Sequence, residues 1–317
     1  MRFLDQVAKV TERVRAGAVP SADELRSLKA ENRQRAIENE QGGGEHCDHL
    51  PTWVNTTNST VCNLKCIFCN QAYGKGVDWK MEESVYRRVV EEVYPFIDTV
   101  QLTAYGEPMM TPNIYGKIAD MEQFGVKLEM VTNATLMKGE KLLQRMARTV
   151  GLLTVSIDGA TPETYNALRV GADFDEVVAN VRAYMNEVHK LPPQAQPPLH
   201  FNYIVMKRNV HEVPRFLELA KELGAAHVTV AHLVVFEECM KDETLDDHRE
   251  LSDHYLRAAR RTAERLELSV NLPPLFAEAA PQAVLPGTAT SCGAAPTSAR
   301  SATSFHAACR ASTRTAT

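Results

Sequence analysis

Three thiols stand close together in the stretch Cys62-Asn63-Leu64-Lys65-Cys66-Ile67-Phe68-Cys69, spaced four and then three residues apart. Thiolates are the usual ligands of iron–sulfur clusters, and three from one loop can converge on a single inorganic site. A cube of four irons takes four ligands. Three local cysteines therefore leave one iron open to a small molecule, much as a catalytic zinc site keeps a position that a structural site fills. The competing reading is a structural zinc knuckle completed from upstream, where Cys47 lies between His46 and His49. Such a set lacks the paired short spacings of zinc motifs.

Further polar motifs follow apolar runs. The run Thr99 to Thr103 leads into Tyr105-Gly106-Glu107-Pro108, the run Val126 to Val131 into Thr132-Asn133, and the run Leu152 to Ile157 contains Ser156 and leads into Asp158. Standing alone, Gly-Glu-Pro reads as a turn, and Asn133, Ser156 and Asp158 read as caps. Arg169 can pair with a carboxylate or support a helix end. Cys239 is either a buried packing cysteine or a hydrogen-atom donor. His232 is the one histidine that the pattern brings to the cavity; it shares no metal-ligand spacing with His200, His211 or His227. Lys65 reads as a solvated charge, and Met81, Met109 and Met110 as packing.

These residues must be positioned by an alternation of strand, loop and helix that begins at Pro51. Strands are expected at Trp53 to Thr60, Thr99 to Thr103, Val126 to Val131, Leu152 to Ile157, His200 to Met206 and Val228 to Val235. Helical spacing covers Met81 to Phe96, Asn113 to Phe124, Gly139 to Arg148, Phe174 to Val188, Glu212 to Leu223 and Asp246 to Leu266. Thr161-Pro162-Glu163 opens one more helix with a capping residue and a proline at its first position. Six strands each followed by a helix imply an α/β fold with a parallel sheet, either doubly wound or a barrel. Every polar motif falls at a strand end, so all can face one cavity at the C-terminal ends of the strands.

Residues 1–45 read as two helices, through Phe3, Val7, Val10 and Val14 and then Leu25, Leu28 and Ala30, with a flexible glycine-rich connection from Gln41 to Glu45. Residues 46–276 form the core. Residues 277–317 are rich in Ala, Ser, Thr and Arg without apolar periodicity, and are expected to be disordered.

The spacing Cys-x3-Cys-x2-Cys, with Phe68 directly before the last cysteine, resembles the radical S-adenosylmethionine (radical SAM) superfamily, over about residues 50 to 275. The resemblance implies a partial (βα)6 TIM-like barrel and a 4Fe–4S cluster on Cys62, Cys66 and Cys69. It further implies SAM at the open iron, with Phe68 beside it. Gly106-Glu107-Pro108 resembles the family's GGEP segment, whose backbone contacts the methionyl amino group, although Tyr105 stands where the first glycine is usual. Asn133, Ser156 and Asp158 match polar contacts to the ribose and carboxylate of SAM. The implied chemistry is reductive cleavage of SAM to methionine and a 5′-deoxyadenosyl radical, which takes a hydrogen atom from a small-molecule substrate. An electron donor such as flavodoxin or ferredoxin is implied as partner. Within the superfamily the chain resembles cytosylglucuronate decarboxylase-type enzymes, which implies a lyase for redox-neutral tailoring in antibiotic biosynthesis, such as decarboxylation of a sugar or nucleoside acid. Cys292-Gly293-Ala294-Ala295-Pro296 resembles the opening of a SPASM or twitch extension, which keeps a peptide maturase as an alternative. A non-catalytic, metal-stabilised binding protein is the third reading.

Composition bounds these readings. A chain of 317 residues with 44% hydrophobic and 24% charged residues is that of a soluble globular protein. A net charge of −5 gives no footprint for nucleic acid or an anionic membrane. Met1 to Arg15 lacks the apolar core of a signal peptide and no run approaches a membrane span, so the expected location is cytoplasmic. Seven cysteines, three of them clustered, read as metal chemistry in a reducing compartment and not as a disulfide framework.

Overall fold

Seven parallel strands lie side by side in chain order in the computed structural model, which describes residues 3–43, 47–74, 77–102 and 105–278. They are β1 Trp53–Asn55, β2 Thr99–Gln101, β3 Lys127–Thr132, β4 Val150–Ser156, β5 Leu199–Val205, β6 His227–His232 and β7 Ser269–Asn271. β1 and β7 form the two edges of an open sheet. Six strands were expected; the seventh, Ser-Val-Asn, pairs with β6 through His227 and Ser269 and is too short to give a sequence pattern. β1 also ends earlier than the run to Thr60 predicts: past Asn55 the chain keeps only single backbone bonds to Gln101 and Leu102, from Thr56 and Asn58, as it turns into the cysteine loop.

Helices α1 Phe3–Arg15 and α2 Ala22–Gly42 precede the sheet, and α3 Glu83–Glu92, α4 Ile114–Phe124, α5 Glu140–Thr149, α6 Pro162–Leu168, α7 Phe174–Val188, α8 Val213–Glu222 and α9 Arg249–Leu266 alternate with it. Their starts follow from local chemistry. The Thr161 hydroxyl accepts from the Thr164 N–H to cap α6, Asp173 accepts from Glu176 to open α7, and Asn113 accepts from Gly116 to open α4. Each strand presents alternate residues to the helical layer. In β5 these are Leu199, Phe201, Tyr203 and Val205, all buried, while His200, Asn202 and Ile204 point to the other, concave face and are half-buried.

α1 and α2 belong to the same core, with Phe3, Val10, Val14, Leu25 and Leu28 buried in it. Ala30, expected inside, is exposed, and its neighbour Lys29 is buried instead. The Lys29 ammonium donates to the carbonyls of Phe124 and Gly125, each at 2.8 Å, and so satisfies the end of α4. α2 continues through Gly42, past the expected start of the flexible connection, and closes on Gly43. Residues 279–317, with Cys292, Cys309 and the SPASM-like stretch, lie outside the described residues. No described helix is long and apolar enough to cross a membrane.

Candidate active site

The cysteine loop leaves β1 and is pinned from three sides. Leu64 is buried at its centre, the Lys65 N–H donates to the Val170 carbonyl (2.9 Å), and the Ile67 N–H donates to the Leu168 carbonyl (3.0 Å). The segment after α6 thus runs along the loop. On the opposite side the Glu107 N–H donates to the Val61 carbonyl at 2.9 Å. Gly106, with φ of +85°, presses against the same backbone; a Cβ there would sit 2.7 Å from the Thr60 carbonyl carbon and from the Val61 oxygen. Only glycine fits that approach.

Glu107 joins the end of β2 to the end of β3. Its carboxylate accepts from the Thr132 hydroxyl (2.6 Å) and the Met109 N–H (3.1 Å) on one oxygen, and from the Asn133 N–H (2.8 Å) on the other. Burial raises its pKa, against the opposing pull of Thr132 and the two N–H groups. Asn133 is thereby aimed at the loop. Its amide donates to Asn63 Oδ1 (3.1 Å) and approaches Cys62 Sγ at 3.9 Å, while Thr135 closes the ring by donating to Asn133 Oδ1 at 2.7 Å.

At the end of β4, Asp158 is fully buried. One of its oxygens accepts from the Ile204 N–H of β5 and the other from Arg169, both at 2.6 Å. The remaining nitrogen of the guanidinium reaches Cys66 Sγ at 3.9 Å. Burial works against the charged guanidinium, but Asp158 outweighs it and holds its pKa above the ordinary value. Arg169, read from sequence as a partner for a carboxylate or a support for a helix end, is therefore committed to Asp158 beside the loop. Asp158, expected among the contacts to SAM, has both oxygens engaged by the protein.

Ser156 ends β4 half-buried on the concave face. Phe68 is half-buried with the Arg169 guanidinium 5.4 Å from its ring centre. Pro108 opens a short 3-10 turn, Pro108–Met110, and is buried. Cys239 lies on another, Glu238–Glu243, and is exposed, which removes the buried packing role. It lies beside Tyr73, whose phenol donates to the Ile67 carbonyl at 2.6 Å, and its proximity is the first cause of that phenol's raised pKa. Both line a cavity of about 220 Å³ with Ile67 and Phe68 of the loop, Met206 beyond β5 and Leu233 beyond β6. His232 is half-buried with its ring 5.3 Å from that of Phe276, and burial lowers its pKa.

The donor set fits a multi-iron group. Cys66 is buried and Cys62 and Cys69 are partly so. Burial pushes the Cys66 thiol up to about 11 and raises that of Cys62, so ligation would release protons from both. Among the described residues, which do not include His46, no three His, Cys, Asp or Glu side chains, the loop thiols among them, close on a single ion. The three thiols and an open iron position are what a 4Fe–4S cube requires.

One polar feature escaped the sequence reading. On the concave face, Ser156 pairs in register with Asn202, Asn202 with Thr229, and Thr229 with Asn271, which makes a row of hydroxyls and amides across β4 to β7. None of these four side chains bonds to another protein group among the described residues. Its signal is the alternation His200-Phe201-Asn202-Tyr203, half-hidden in a strand that otherwise reads as apolar.

Comparison with known proteins agrees with this geometry. The family model of the Radical SAM superfamily matches residues 59–220. The AdoMet-dependent heme synthase of Methanosarcina barkeri is 26% identical over 250 residues, 72% of this chain and 69% of that protein. A probable GTP 3',8-cyclase of Saccharolobus islandicus is 26% identical over 182 residues, and the match spans 57% of this chain but only 56% of the cyclase. In fold the chain is similar to Streptococcus suis SuiB bound to S-adenosylmethionine (TM-score 0.54, 15% identity, 86% of this chain and 61% of that one). It is similar also to anSMEcpe with bound AdoMet (TM-score 0.54, 17% identity, 69% of this chain and 63% of that one). With a family match over more than half its length on the segment that carries the cysteine loop, the chain belongs to the Radical SAM superfamily, whose cofactors are a 4Fe–4S cluster and S-adenosylmethionine.

Proposed function

We propose that this enzyme acts on a small, hydroxyl-rich carboxylic acid, such as a sugar or nucleoside acid, and releases a product at the substrate's own oxidation level, with decarboxylation as the reaction. The observation that carries the substrate class is the row Ser156–Asn202–Thr229–Asn271. Side chains with both donors and acceptors and no protein partner suit a ligand rich in hydroxyls. Lys207, exposed two residues beyond β5 and without an ion pair among the described residues, is assigned to the substrate carboxylate, since Arg169 is held by Asp158. The GTP 3',8-cyclase relative is named for a ribose-bearing substrate, which agrees with this class.

Cys62, Cys66 and Cys69 would hold the cluster, and the bound cluster with SAM supplies the radical that abstracts hydrogen. Phe68, Gly106, Glu107, Pro108 and Asn133 line the SAM side. Ser156 stands where that side meets the substrate row. Asp158 acts through Arg169. Cys239 on the cavity wall is assigned to return a hydrogen atom to the substrate radical, and the thiyl left behind takes one electron from the same external donor that reduces the cluster and a proton, which restores the thiol. The redox-neutral outcome is read from the spacing of the other cysteines in these 317 residues, Cys47, Cys239, Cys292 and Cys309, which are widely separated in sequence. A flavodoxin or ferredoxin would supply the electron, and a cytoplasmic location follows from that need.

Anaerobic reconstitution should give about four irons per chain, in line with one cube. Under dithionite the loaded protein should cleave SAM without substrate, and a panel of sugar and nucleoside acids should then yield carbon dioxide and a product of unchanged oxidation level. Asn202→Ala should raise KM for the acid and leave uncoupled SAM cleavage as it was. One bound zinc with no SAM cleavage defeats the enzyme reading. A product two electrons more oxidised than its substrate, or a second stoichiometric cluster, replaces it with the peptide-maturase reading.

A further inference from the structure

Arg169 makes three separate engagements that leave its guanidinium no freedom. Nε and Nη2 both lie 2.6 Å from Asp158 Oδ2, Nη1 lies 3.9 Å from Cys66 Sγ, and the group sits 5.4 Å from the centre of the Phe68 ring. Arg169 is 7% exposed and Asp158 0%. Asp158 is itself fixed to β5, where the Ile204 N–H donates to Oδ1 (2.6 Å), and to the turn beyond it, where the Asn209 amide donates to its carbonyl (3.0 Å). The backbone on either side of Arg169 is fixed as well, since Leu168 and Val170 accept hydrogen bonds from Ile67 and Lys65 of the cysteine loop. A positive charge is thus anchored through β5 against one particular sulfur. Among the described residues neither Cys62 nor Cys69 has a charged donor of this kind: the neutral Asn133 amide approaches Cys62 Sγ, and the Cys69 thiol itself donates to Asn70 Oδ1.

We infer that Arg169 is a positioning residue that sets the reduction potential of the cluster on Cys62, Cys66 and Cys69, by holding an N–H donor and a fixed positive charge at the Cys66 sulfur. Reduction adds one negative charge to the cluster, supplied by an external one-electron donor. Hydrogen bonds to cluster sulfurs and the local charge are among the levers that set such potentials. In a site this buried the charge is only weakly screened by solvent. The guanidinium favours the reduced form and raises the potential. Asp158 both orients it and damps its charge. The inference rests on the cluster reading of the loop, and the experiment separates the two.

The full-length chain, reconstituted anaerobically, is titrated with dithionite and redox mediators without SAM, and the reduced cluster is followed by electron paramagnetic resonance. The double variant Arg169→Gln with Asp158→Asn removes both charges and leaves neither buried alone. It should keep its iron and sulfide and shift the midpoint potential in the negative direction. Asp158→Asn alone leaves the guanidinium undamped and should shift it in the positive direction. An unchanged potential in both variants overturns the inference, as does a double variant whose only defect is weaker SAM binding, which would make Arg169 a SAM contact. Should the double variant not take up iron, Arg169→Lys decides: a retained cluster with a potential below wild type supports the inference, and loss of the cluster there too assigns Arg169 to folding the loop and overturns it. If the wild type takes up no four-iron cluster, the proposed function itself fails, and the potential of the variants never enters.

Discussion

The polar side chains around the cysteine loop and those along the concave row are of the same kinds, the charged groups aside, yet they are used in opposite ways. Around the loop almost every group is spent within the protein. Glu107 takes three donors, Asn133 reaches Asn63 and Cys62, and Asp158 holds Arg169 and the β5 backbone. Along Ser156, Asn202, Thr229 and Asn271 no side chain has a protein partner among the described residues. A paired network fixes geometry before any ligand arrives, which suits an inorganic group that must be held one way. An unpaired row keeps its donors and acceptors for a ligand and adds little to folding.

That contrast fails at once if the loop is not the cofactor site, and the largest effect tests it. Cys66→Ser, or the same change at Cys62 or Cys69, should reduce iron from about four per chain to near none and abolish deoxyadenosine formation. Iron retained in any of the three variants breaks the comparison. Next in size is the buried ion pair. Arg169→Met leaves Asp158 charged and alone in the interior and should cost about 3–5 kcal/mol in urea unfolding of the metal-free protein. Adding Asp158→Leu should recover much of that loss, because a pair of apolar groups carries no desolvation penalty. A loss below about 1 kcal/mol in the single variant would mean the pair is effectively solvated.

The loop and much of the frame were legible in the sequence because their causes are local. Cys-x3-Cys-x2-Cys is a spacing, Thr161-Pro162 is a cap, and Phe174 to Val188 has the helical period over its full length, where the helix indeed lies. What the sequence hid depends on contacts between distant segments. Arg169 acquires its place only because Ile204, on another strand, orients Asp158. Lys29 is drawn inside, one residue from the expected Ala30, because the carbonyls ending α4 need donors. β7 is three residues with one apolar side chain and exists as a strand through its pairing with β6. The polar row exists only in register, since its four members come from four strands.

A smaller effect is expected at the inner edge of the network. Asn133→Ala removes an amide that the Glu107 carboxylate holds in place through the backbone, so its loss should leave the fold and the iron content near normal. SAM binding should weaken by roughly 1–3 kcal/mol, the range for a hydrogen bond to a charged or shared partner. Binding is best read by the change that SAM induces in the reduced resonance signal as its concentration is varied. Unchanged binding, or iron lost together with it, would move Asn133 from the cofactor side of the comparison to the scaffold.

The smallest effect falls on the row itself, and its smallness is the point. Thr229→Val keeps the shape of the side chain and deletes one hydroxyl that has no protein partner among the described residues. No hydrogen bond is lost on folding, and the half-buried position in β6 accepts a β-branched apolar residue, so unfolding free energy should change by no more than about 0.5 kcal/mol. SAM cleavage without substrate should be untouched. The affinity for a hydroxyl-rich acid should fall by about 0.5–1.5 kcal/mol, the usual worth of one neutral hydrogen bond, read as a rise in KM with kcat held. A variant that destabilises by more than about 2 kcal/mol would show the hydroxyl serving the fold. One that binds the acid as well as wild type would show the substrate lying elsewhere on the concave face, and the two regions would no longer divide as cofactor and substrate.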